Sequence, residues 1–216
     1  MGRIAKEQYS ADLIFHCDAD EFWTAKSGNL KNELLKYPLV DCLRIDVRNV
    51  LLEFNNFEEQ FPKNAIYVVE NPLIPKDIQQ ESLDTSFFLF AYPTKVIYKV
   101  PEKYSEVTQG NHRLVNRKEF VHRASQDITI YHYPVRNRDQ FHQKVIAGGS
   151  SLERNTKLSK DSGWHWRRWY ESYKKGNLDL TYKQMTISPS DDQMLISNGI
   201  IRKDSTLSLT LCKENV

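Results

Sequence analysis

The stretch ADLIFHCDADEFW, residues 11–23, sets the fold expected for the whole chain. An apolar run over residues 13–15 leads directly into three acids, Asp18, Asp20 and Glu21. A short apolar segment that ends in polar residues is typical of a buried parallel strand in an α/β sheet. Open α/β sheets bind ligands at the carboxyl ends of their strands. The stretch therefore predicts a strand over residues 11–17 with an acidic site at its end.

The spacing Asp-x-Asp at a strand end suits a hard divalent cation, which prefers oxygen ligands. The alternative is a solvated turn or a helix N-cap, because aspartate is common in both. Further ligands are sought among the histidines. His132 ends a predicted strand, and His112 lies in the turn-like segment GNHR. A histidine at a strand end is also often a core or capping residue, so both interpretations stay open.

The composition fits one soluble domain over residues 1–216. The chain is 40% hydrophobic and 27% charged, and its net charge is only +2, which argues against nucleic acid as a partner. The three cysteines, Cys17, Cys42 and Cys212, have no CxxC spacing, so we expect small buried thiols in a reducing compartment. No apolar run approaches the roughly 20 residues of a transmembrane helix. These features predict a cytoplasmic protein, either free or peripheral at the inner face of the membrane.

Strand signals dominate the first part of the chain. Residues 43–47 alternate apolar and charged side chains, which is typical of a strand with one solvated face. In residues 127–133, period two places Ile128, Ile130 and His132 on one face. The other predicted elements of this part are a helix over 30–37, strands over 66–69 and 94–100, and a loop over 72–85.

Helix signals dominate the second part. Asn137 can cap a helix that ends at the Gly148-Gly149 pair, and a second helix covers 163–175. In that helix an aromatic stripe follows helical spacing, which favours core packing; its members are Trp166, Trp169, Tyr170 and Tyr173. A third helix is predicted from Ser188 to Gly199, and alternating leucines at 207, 209 and 211 predict an edge strand. We therefore expect an α/β body over 1–135 and a mostly helical part over 136–216.

Four segments together resemble the glycosyltransferase family 2-like enzymes, in particular a bacterial branch. They are ADLIFHCDADEFW, GNHR at 110–113, IYHYPVRNRDQFHQKVIAGG at 130–149 and GWHWRRWYESYKKG at 163–176. The resemblance covers most of residues 11–176. It implies an α/β fold of the GT-A type, with a Rossmann-like mixed sheet, an Asp-x-Asp motif and a helical C-terminal part.

The resemblance also implies a reaction and its cofactor. We expect metal-dependent, inverting transfer of a hexosyl group from a UDP- or GDP-linked sugar to a glycan or another hydroxyl acceptor, with Mn²⁺ or Mg²⁺. By the family pattern, Asp20 binds the metal, and Asp18 holds the donor at its ribose or through a metal-bound water. His132 completes the metal site, and His112 is the competing ligand. A metal that bridges both phosphates would make the nucleoside diphosphate a better leaving group.

Arginine side chains and aromatic side chains supply the remaining contacts expected for donor and acceptor. Arg136 and Arg113 can contact the phosphates of the donor, although surface salt bridges explain them equally well. Trp164 and His165 can line an acceptor groove at the start of the aromatic helix, although core packing of the whole helix is the simpler interpretation.

The catalytic base of an inverting transferase takes the proton of the acceptor hydroxyl, and the sequence does not identify it. Asp46, Glu70 and Asp127 lie on or beside predicted strands, where each also fits a surface position.

The acidic motif comes early for a GT-A domain, in which a nucleotide-binding half precedes Asp-x-Asp. Only 17 residues precede Asp18, whereas one βαβ unit takes about 30. We therefore expect an N-terminally truncated GT-A core, and a non-catalytic C-terminal fragment or binding remnant is the alternative to an enzyme. A sheet left uncovered in this way predicts self-association. A metal-dependent phosphoesterase is a further alternative, although such enzymes usually have more metal ligands.

Overall fold

The computed structural model describes residues 2–54, 61–100, 106–115, 121–159 and 161–205. Within them the chain is a mixed α/β protein, as the sequence predicts. The strands are β1 Leu13–Phe15, β2 Glu21–Ala25, β3 Cys42–Leu52, β4 Ala65–Val69, β5 Lys95–Lys99, β6 Glu106–Val107, β7 Leu114–Val115, β8 His122–His132 and β9 Ile201–Lys203. The α-helices are α1 Gly2–Tyr9, α2 Leu30–Leu34, α3 Ile78–Glu81, α4 Arg138–Arg154, α5 Trp164–Lys174, α6 Leu178–Gln184 and α7 Asp192–Ser197.

Two compact units make up the chain, and each combines two separate segments. The first unit contains Met1–Arg48 and Tyr92–His132, and the second contains Asn49–Ala91 and Tyr133–Val216. Strand β3 therefore begins in the first unit and ends in the second. The helices α4 to α7 all belong to the second unit, together with β4 and β9.

The sheet of the first unit has the strand order β1-β5-β3-β8-β2. Strand β5 lies antiparallel to both β1 and β3, with Ile97 opposite Phe15 and Leu43. Strand β2 lies antiparallel to β8, and this pairing places Glu21 opposite His132. The ends of β1 and β2 that carry the acidic stretch thus face residues of β5 and β8.

The apolar core of this unit confirms the predicted alternation. Leu43, Ile45 and Val47 of β3 are buried on one face of the sheet, whereas Asp46 between them is exposed. Ile128 and Ile130 of β8 belong to the same cluster. Side chains of the opposite face form a second buried cluster, which contains Cys42, Val96, Tyr98 and Leu114.

The predicted strand over residues 11–17 is shorter and more exposed than expected. β1 covers only Leu13–Phe15, and it pairs with β5 in the antiparallel direction. Leu13 is 37% exposed and Phe15 is 40% exposed. Because β1 is the terminal strand of the order in the described part of the sheet, it packs less than a central strand does. The expectation of a buried parallel strand is therefore wrong.

In the second unit, three further elements differ from the predictions. The segment 72–85 contains α3, because the Asp77 side chain accepts hydrogen bonds from the backbone N–H groups of Gln79 and Gln80 and caps a helical turn. Helix α6 and strand β9 are not predicted at all. The predicted edge strand at Leu207, Leu209 and Leu211 lies outside the described residues.

Helix α4 begins as predicted but does not end at the glycine pair. The Asn137 side chain accepts a hydrogen bond of 2.8 Å from the backbone N–H of Gln140, which confirms the cap. The helix continues through Gly148 and Gly149 to Arg154. A Cβ atom on Gly149 would lie 2.2 Å from the Cβ of Tyr170 in α5. The glycines therefore allow close helix packing instead of terminating the helix.

The aromatic stripe of α5 is only partly buried. Trp169 is 4% exposed, and its ring lies 5.6 Å from Phe87 and 5.7 Å from Phe141. Tyr173, at the end of the stripe, is 41% exposed. The core interpretation is thus confirmed for Trp169 and is wrong for Tyr173, which lies one turn further along the same face, at the exposed C-terminal end of α5.

Candidate functional site

The acidic stretch forms a tight turn between β1 and β2. The backbone N–H of Glu21 donates a 3.0 Å hydrogen bond to the backbone oxygen of Asp18, which closes the turn. Aspartate is favoured at the first position of such turns. The backbone N–H of Asp18 donates in turn to Glu21 Oε2, at 3.2 Å. These two bonds hold Asp18 and Glu21 side by side in spite of their like charges.

Lys95 supplies the positive charge that this turn requires. Its Nζ lies 2.6 Å from Asp18 Oδ2 and 2.9 Å from Glu21 Oε1. The lysine is 1% exposed and Glu21 is 5% exposed, whereas the Asp18 side chain is 51% exposed. A buried ammonium is stable only when it is paired, and these two carboxylates provide the pairing.

The pKa of Lys95 is the result of opposing effects. Burial is the largest effect and lowers the pKa, but the hydrogen bonds to Asp18 and Glu21 and the charges of both acids outweigh it. The pKa of Lys95 is therefore raised, and the side chain stays protonated at neutral pH. The acids at the end of β1 thus already have an internal cation.

Lys95 is not among the candidate residues selected from the sequence, although two features of the sequence and the strand pairing indicate its place next to the acidic turn. Period two in β5 places Lys95 on the same face as Ile97, which belongs to the buried core. The antiparallel register of β1 and β5, extended by two residues beyond Phe15, brings Cys17 level with Lys95. A lysine on a buried face, next to an acidic turn, is the signal that predicts such a pair.

The side chains of Asp20 and His132 lie close together. Asp20 Oδ2 lies 3.7 Å from His132 Nε2. The β2–β8 register accounts for the contact, because Glu21 lies opposite His132 and Asp20 directly precedes it. Both side chains are largely buried, with 18% of the Asp20 side chain and 9% of the His132 side chain exposed.

The ring of Tyr92 covers this pair from one side. Its centroid lies 4.8 Å from that of His132. Burial raises the pKa of Tyr92; Lys95 lowers it, and the charges of Glu21, Asp20 and Asp18 add to the rise. Tyr92 is therefore a neutral phenol next to a cluster that contains three carboxylates and one ammonium.

His112, the competing ligand, is placed elsewhere. Its Nδ1 lies 3.0 Å from the backbone oxygen of Thr94. Because a carbonyl oxygen only accepts, Nδ1 carries the proton in this bond. Its ring lies 6.1 Å from that of Tyr92. Gly110 has φ +77° and a Cβ there would lie 2.3 Å from His112 Nε2, so the glycine of GNHR makes room for the ring.

The three candidate bases occupy different surroundings. Asp46 is exposed on the solvated face of β3. Asp127, also in the first unit, lies 3.2 Å from Lys26 and accepts a hydrogen bond from the Tyr37 hydroxyl. Glu70 belongs to the second unit, where its carboxylate lies 2.9 Å from Arg202.

The two candidate phosphate-binding arginines are both exposed. Arg113 belongs to the first unit, and its backbone N–H donates to the Thr108 hydroxyl. Arg136 belongs to the second unit, and its backbone N–H donates to Gln140 Oε1 ahead of α4. Their phosphate contacts stay predictions.

Trp164 and His165 lie in an aromatic cluster of the second unit. The ring of His165 stacks on Phe87 at 4.7 Å, with 18° between the planes. The Arg168 guanidinium lies 4.8 Å from the centre of the Trp164 ring. Burial, with a smaller effect of Arg168, lowers the pKa of His165 to about 4. This histidine is neutral at pH 7 and packs as an aromatic ring.

The cysteines of the first unit are free thiols, and only one is buried as expected. Cys42 is 1% exposed, and burial raises its pKa to about 11. Cys17 is exposed, and its Sγ donates to the backbone oxygen of Glu21. Burial of its sulfur, followed by the charges of Glu21 and Asp18, raises the pKa of Cys17. Cys212 lies outside the described residues.

Comparison with known proteins adds no family assignment. No protein-family model matches the sequence, and no curated protein matches it. Within the residues that the structure describes, no group of three or more histidine, cysteine, aspartate or glutamate side chains is arranged to hold a metal ion. No helix in that part of the chain has the length and hydropathy needed to cross a bilayer.

Proposed function

We propose that the chain acts in metal-dependent glycosyl transfer, with Asp20 and His132 binding the divalent cation that holds the diphosphate of a nucleotide sugar. The observation that carries this proposal is the 3.7 Å distance between Asp20 Oδ2 and His132 Nε2. Asp20 directly precedes β2 and His132 ends the neighbouring strand β8, and the two atoms are close enough to bind one ion. The resemblance to the glycosyltransferase family 2-like enzymes also assigns these two residues as metal ligands.

The residues present fit a cation with few protein ligands. One carboxylate and one imidazole suit Mn²⁺, and Mg²⁺ is commonly held by one or two carboxylates together with waters and phosphates. Lys95 already pairs with Asp18 and Glu21. The donor diphosphate would therefore have to supply several of the remaining ligands, so we expect the cation and the nucleotide to bind more tightly together than separately.

The side chains of the turn have separate roles in this proposal. A bound cation would neutralise the charge that develops on the diphosphate leaving group. Asp20 and His132 would hold that cation, and the Asp18 side chain, which is 51% exposed, would be accessible to the donor. Half-buried Tyr92 packs against one side of His132. The acceptor is a glycan or other hydroxyl compound, and its base stays unassigned.

Binding without turnover is the second function to be tested, because the same pair of ligands serves a non-catalytic module equally well. The cytoplasmic location stays a prediction in both cases. Self-association through the open edge of the first unit is supported by the exposed apolar side chains of β1 and by a cavity of about 780 Å³. The cavity is lined by α1, α2 and the neighbouring strands, including Leu13, Phe15, Leu34 and Leu35.

Calorimetric titration of the whole chain with Mn²⁺, alone and with UDP or GDP, tests the proposal. We expect Mn²⁺ to bind and its affinity to rise when the nucleotide is present. Asp20→Asn and His132→Gln should each weaken Mn²⁺ binding at least tenfold. Asp139→Asn is the matched control, because Asp139 is 84% exposed in the second unit. Equal affinity in all four proteins would refute the proposal.

Transfer assays with UDP- and GDP-sugars then separate an enzyme from a binding module. Hydrolysis or transfer that requires Mn²⁺ and is lost in Asp20→Asn supports catalysis. Tight binding of Mn²⁺ and nucleotide with no product supports the binding module.

A further inference from the structure

We propose that Lys95 is an internal counter-cation, a positioning residue that fills the Asp18–Glu21 half of the acidic cluster. An external cation is then bound by the other half, Asp20 and His132. The role of Lys95 rests on the geometry of its ammonium group alone. Binding of an external cation by Asp20 and His132 rests on the proposed function.

The geometry makes Lys95 part of a closed set of contacts. Its ammonium touches Asp18 and Glu21, and the backbone N–H of Asp18 donates to the far oxygen of the same Glu21 carboxylate. All three groups are thus linked to one another. Glu21 uses one carboxylate oxygen for the lysine and the other for the turn, so the lysine and the turn hold each other in place.

This closed set determines where Asp20 lies. The turn from Asp18 to Glu21 has Asp20 as its third residue. Lys95 fixes the two outer residues, and the β2–β8 register fixes Glu21 opposite His132. Loss of the ammonium would release the turn and the Asp20 carboxylate with it. Lys95 therefore acts on the proposed metal site through the backbone, without contact with the metal.

The balance of charge points to the same division. Two acids of the cluster face Lys95 at 2.6 and 2.9 Å, and the third faces His132. Three carboxylates are neutralised by one ammonium and one divalent cation. If the ammonium is removed, two carboxylates that are held close together lose their partner. Such a pair of oxygen ligands has the chemistry that attracts a hard divalent cation.

Thermal unfolding with and without Mn²⁺ tests this inference on the whole chain. The variants are Lys95→Met, Glu21→Gln and the double variant that combines both. Lys95→Met should lower Tm in the absence of divalent ions. Mn²⁺ should then raise the Tm of Lys95→Met by several degrees more than it raises that of the native protein, because the ion takes the place of the ammonium. The extra rise should disappear in the double variant, which lacks the Glu21 charge.

Two results would overturn the inference: an equal Mn²⁺ effect on Lys95→Met and on the native protein, or an extra effect that persists in the double variant. If Lys95→Met does not fold alone, circular dichroism after refolding with Mn²⁺ replaces the melting curve. Failure of Mn²⁺ to restore the fold then counts against the inference.

The outcome is independent of the Asp20–His132 assignment. A native protein that does not respond to Mn²⁺, next to a Lys95→Met variant that does, refutes the proposed function and supports the role of Lys95. The opposite pattern supports the proposed function and the positioning of Asp20 by Lys95, and it refutes the replacement of the ammonium by Mn²⁺.

Discussion

The acidic turn of the first unit and the aromatic cluster of the second unit each bury a basic side chain. One of these side chains is charged at pH 7 and the other is neutral. Lys95 is 1% exposed and keeps its proton, and its pKa is raised. His165 packs against Phe87 and Trp169 and loses its proton, with a pKa lowered to about 4.

Partners within hydrogen-bonding distance account for the difference. Burial alone lowers the pKa of any basic group, and it is the largest effect at both residues. Lys95 has two carboxylates at 2.6 and 2.9 Å, which reverse the effect. His165 is surrounded by rings and by the cation Arg168, which adds to it. Paired charges thus stabilise the first region, and packing of aromatic rings stabilises the second.

Removal of the Lys95 charge should have the largest effect on this comparison. We expect Lys95→Met to lower the free energy of unfolding by about 3–5 kcal/mol, because it leaves a buried Glu21 carboxylate without its cation. Urea denaturation at pH 7 without divalent ions measures the loss.

Lys99→Met provides the matched control on the same strand. Lys99 is 41% exposed and lies 3.5 Å from Asp41, so its loss should change stability by no more than about 1 kcal/mol. Equal losses for the two variants would mean that burial of the Lys95 pair contributes nothing.

Acid should destabilise the aromatic cluster through His165. Its pKa is about 4 in the folded protein and 6.5 in the unfolded chain, so the unfolded chain binds more protons between these values. The stabilisation from burying neutral His165 is complete above pH 6.5, and about 2–3 kcal/mol of it is lost as pH falls toward 4.

His165→Phe keeps a ring on Phe87 and removes the titration. Urea denaturation at several pH values should show a steeper decline between pH 6.5 and 4 for the native protein than for the variant. Parallel curves would contradict the prediction.

A methyl group between α4 and α5 should disturb the ring packing, with a smaller effect. Gly149→Ala would place a Cβ 2.2 Å from that of Tyr170, and overpacking of this kind costs about 1–3 kcal/mol. Gly148→Ala is the control, because its Cβ would lie 3.2 Å from Trp166. Both variants gain the same helix propensity, so the difference between their urea midpoints isolates the clash. If Gly149→Ala is as stable as Gly148→Ala, the two helices do not approach as closely as described.

Local patterns allowed correct predictions where neighbouring strands impose a strict alternation. The faces of β3 and β8 follow from period two, and the side chains of Asp20 and His132, both selected from the sequence as candidate site residues, lie 3.7 Å apart. Burial of β1 could not be predicted, because it depends on how many strands flank β1 and not on its own apolar residues. Sequence spacing alone also cannot distinguish a glycine that ends a helix from one such as Gly149, which lets a second helix pack closely against its own.

Lys95 shows the same limit at the candidate site. Its strand was predicted, but the acids it pairs with are more than 70 positions away in the sequence, at Asp18 and Glu21. The sequence pattern indicates metal ions and histidines as partners of the acids and does not indicate a lysine, because lysine is rarely buried. Only the antiparallel register of β1 and β5 brings the three residues together.

The burial of the Lys95 ammonium also determines its reactivity. Amine-acylating reagents attack only the neutral, accessible form of a lysine, and Lys95 is both protonated and 1% exposed. The side chain of Lys99, four residues along the same strand, is 41% exposed. A peptide that contains both lysines therefore carries its own reference: the ratio of label at Lys95 to label at Lys99 measures how often the acidic turn opens in the native protein.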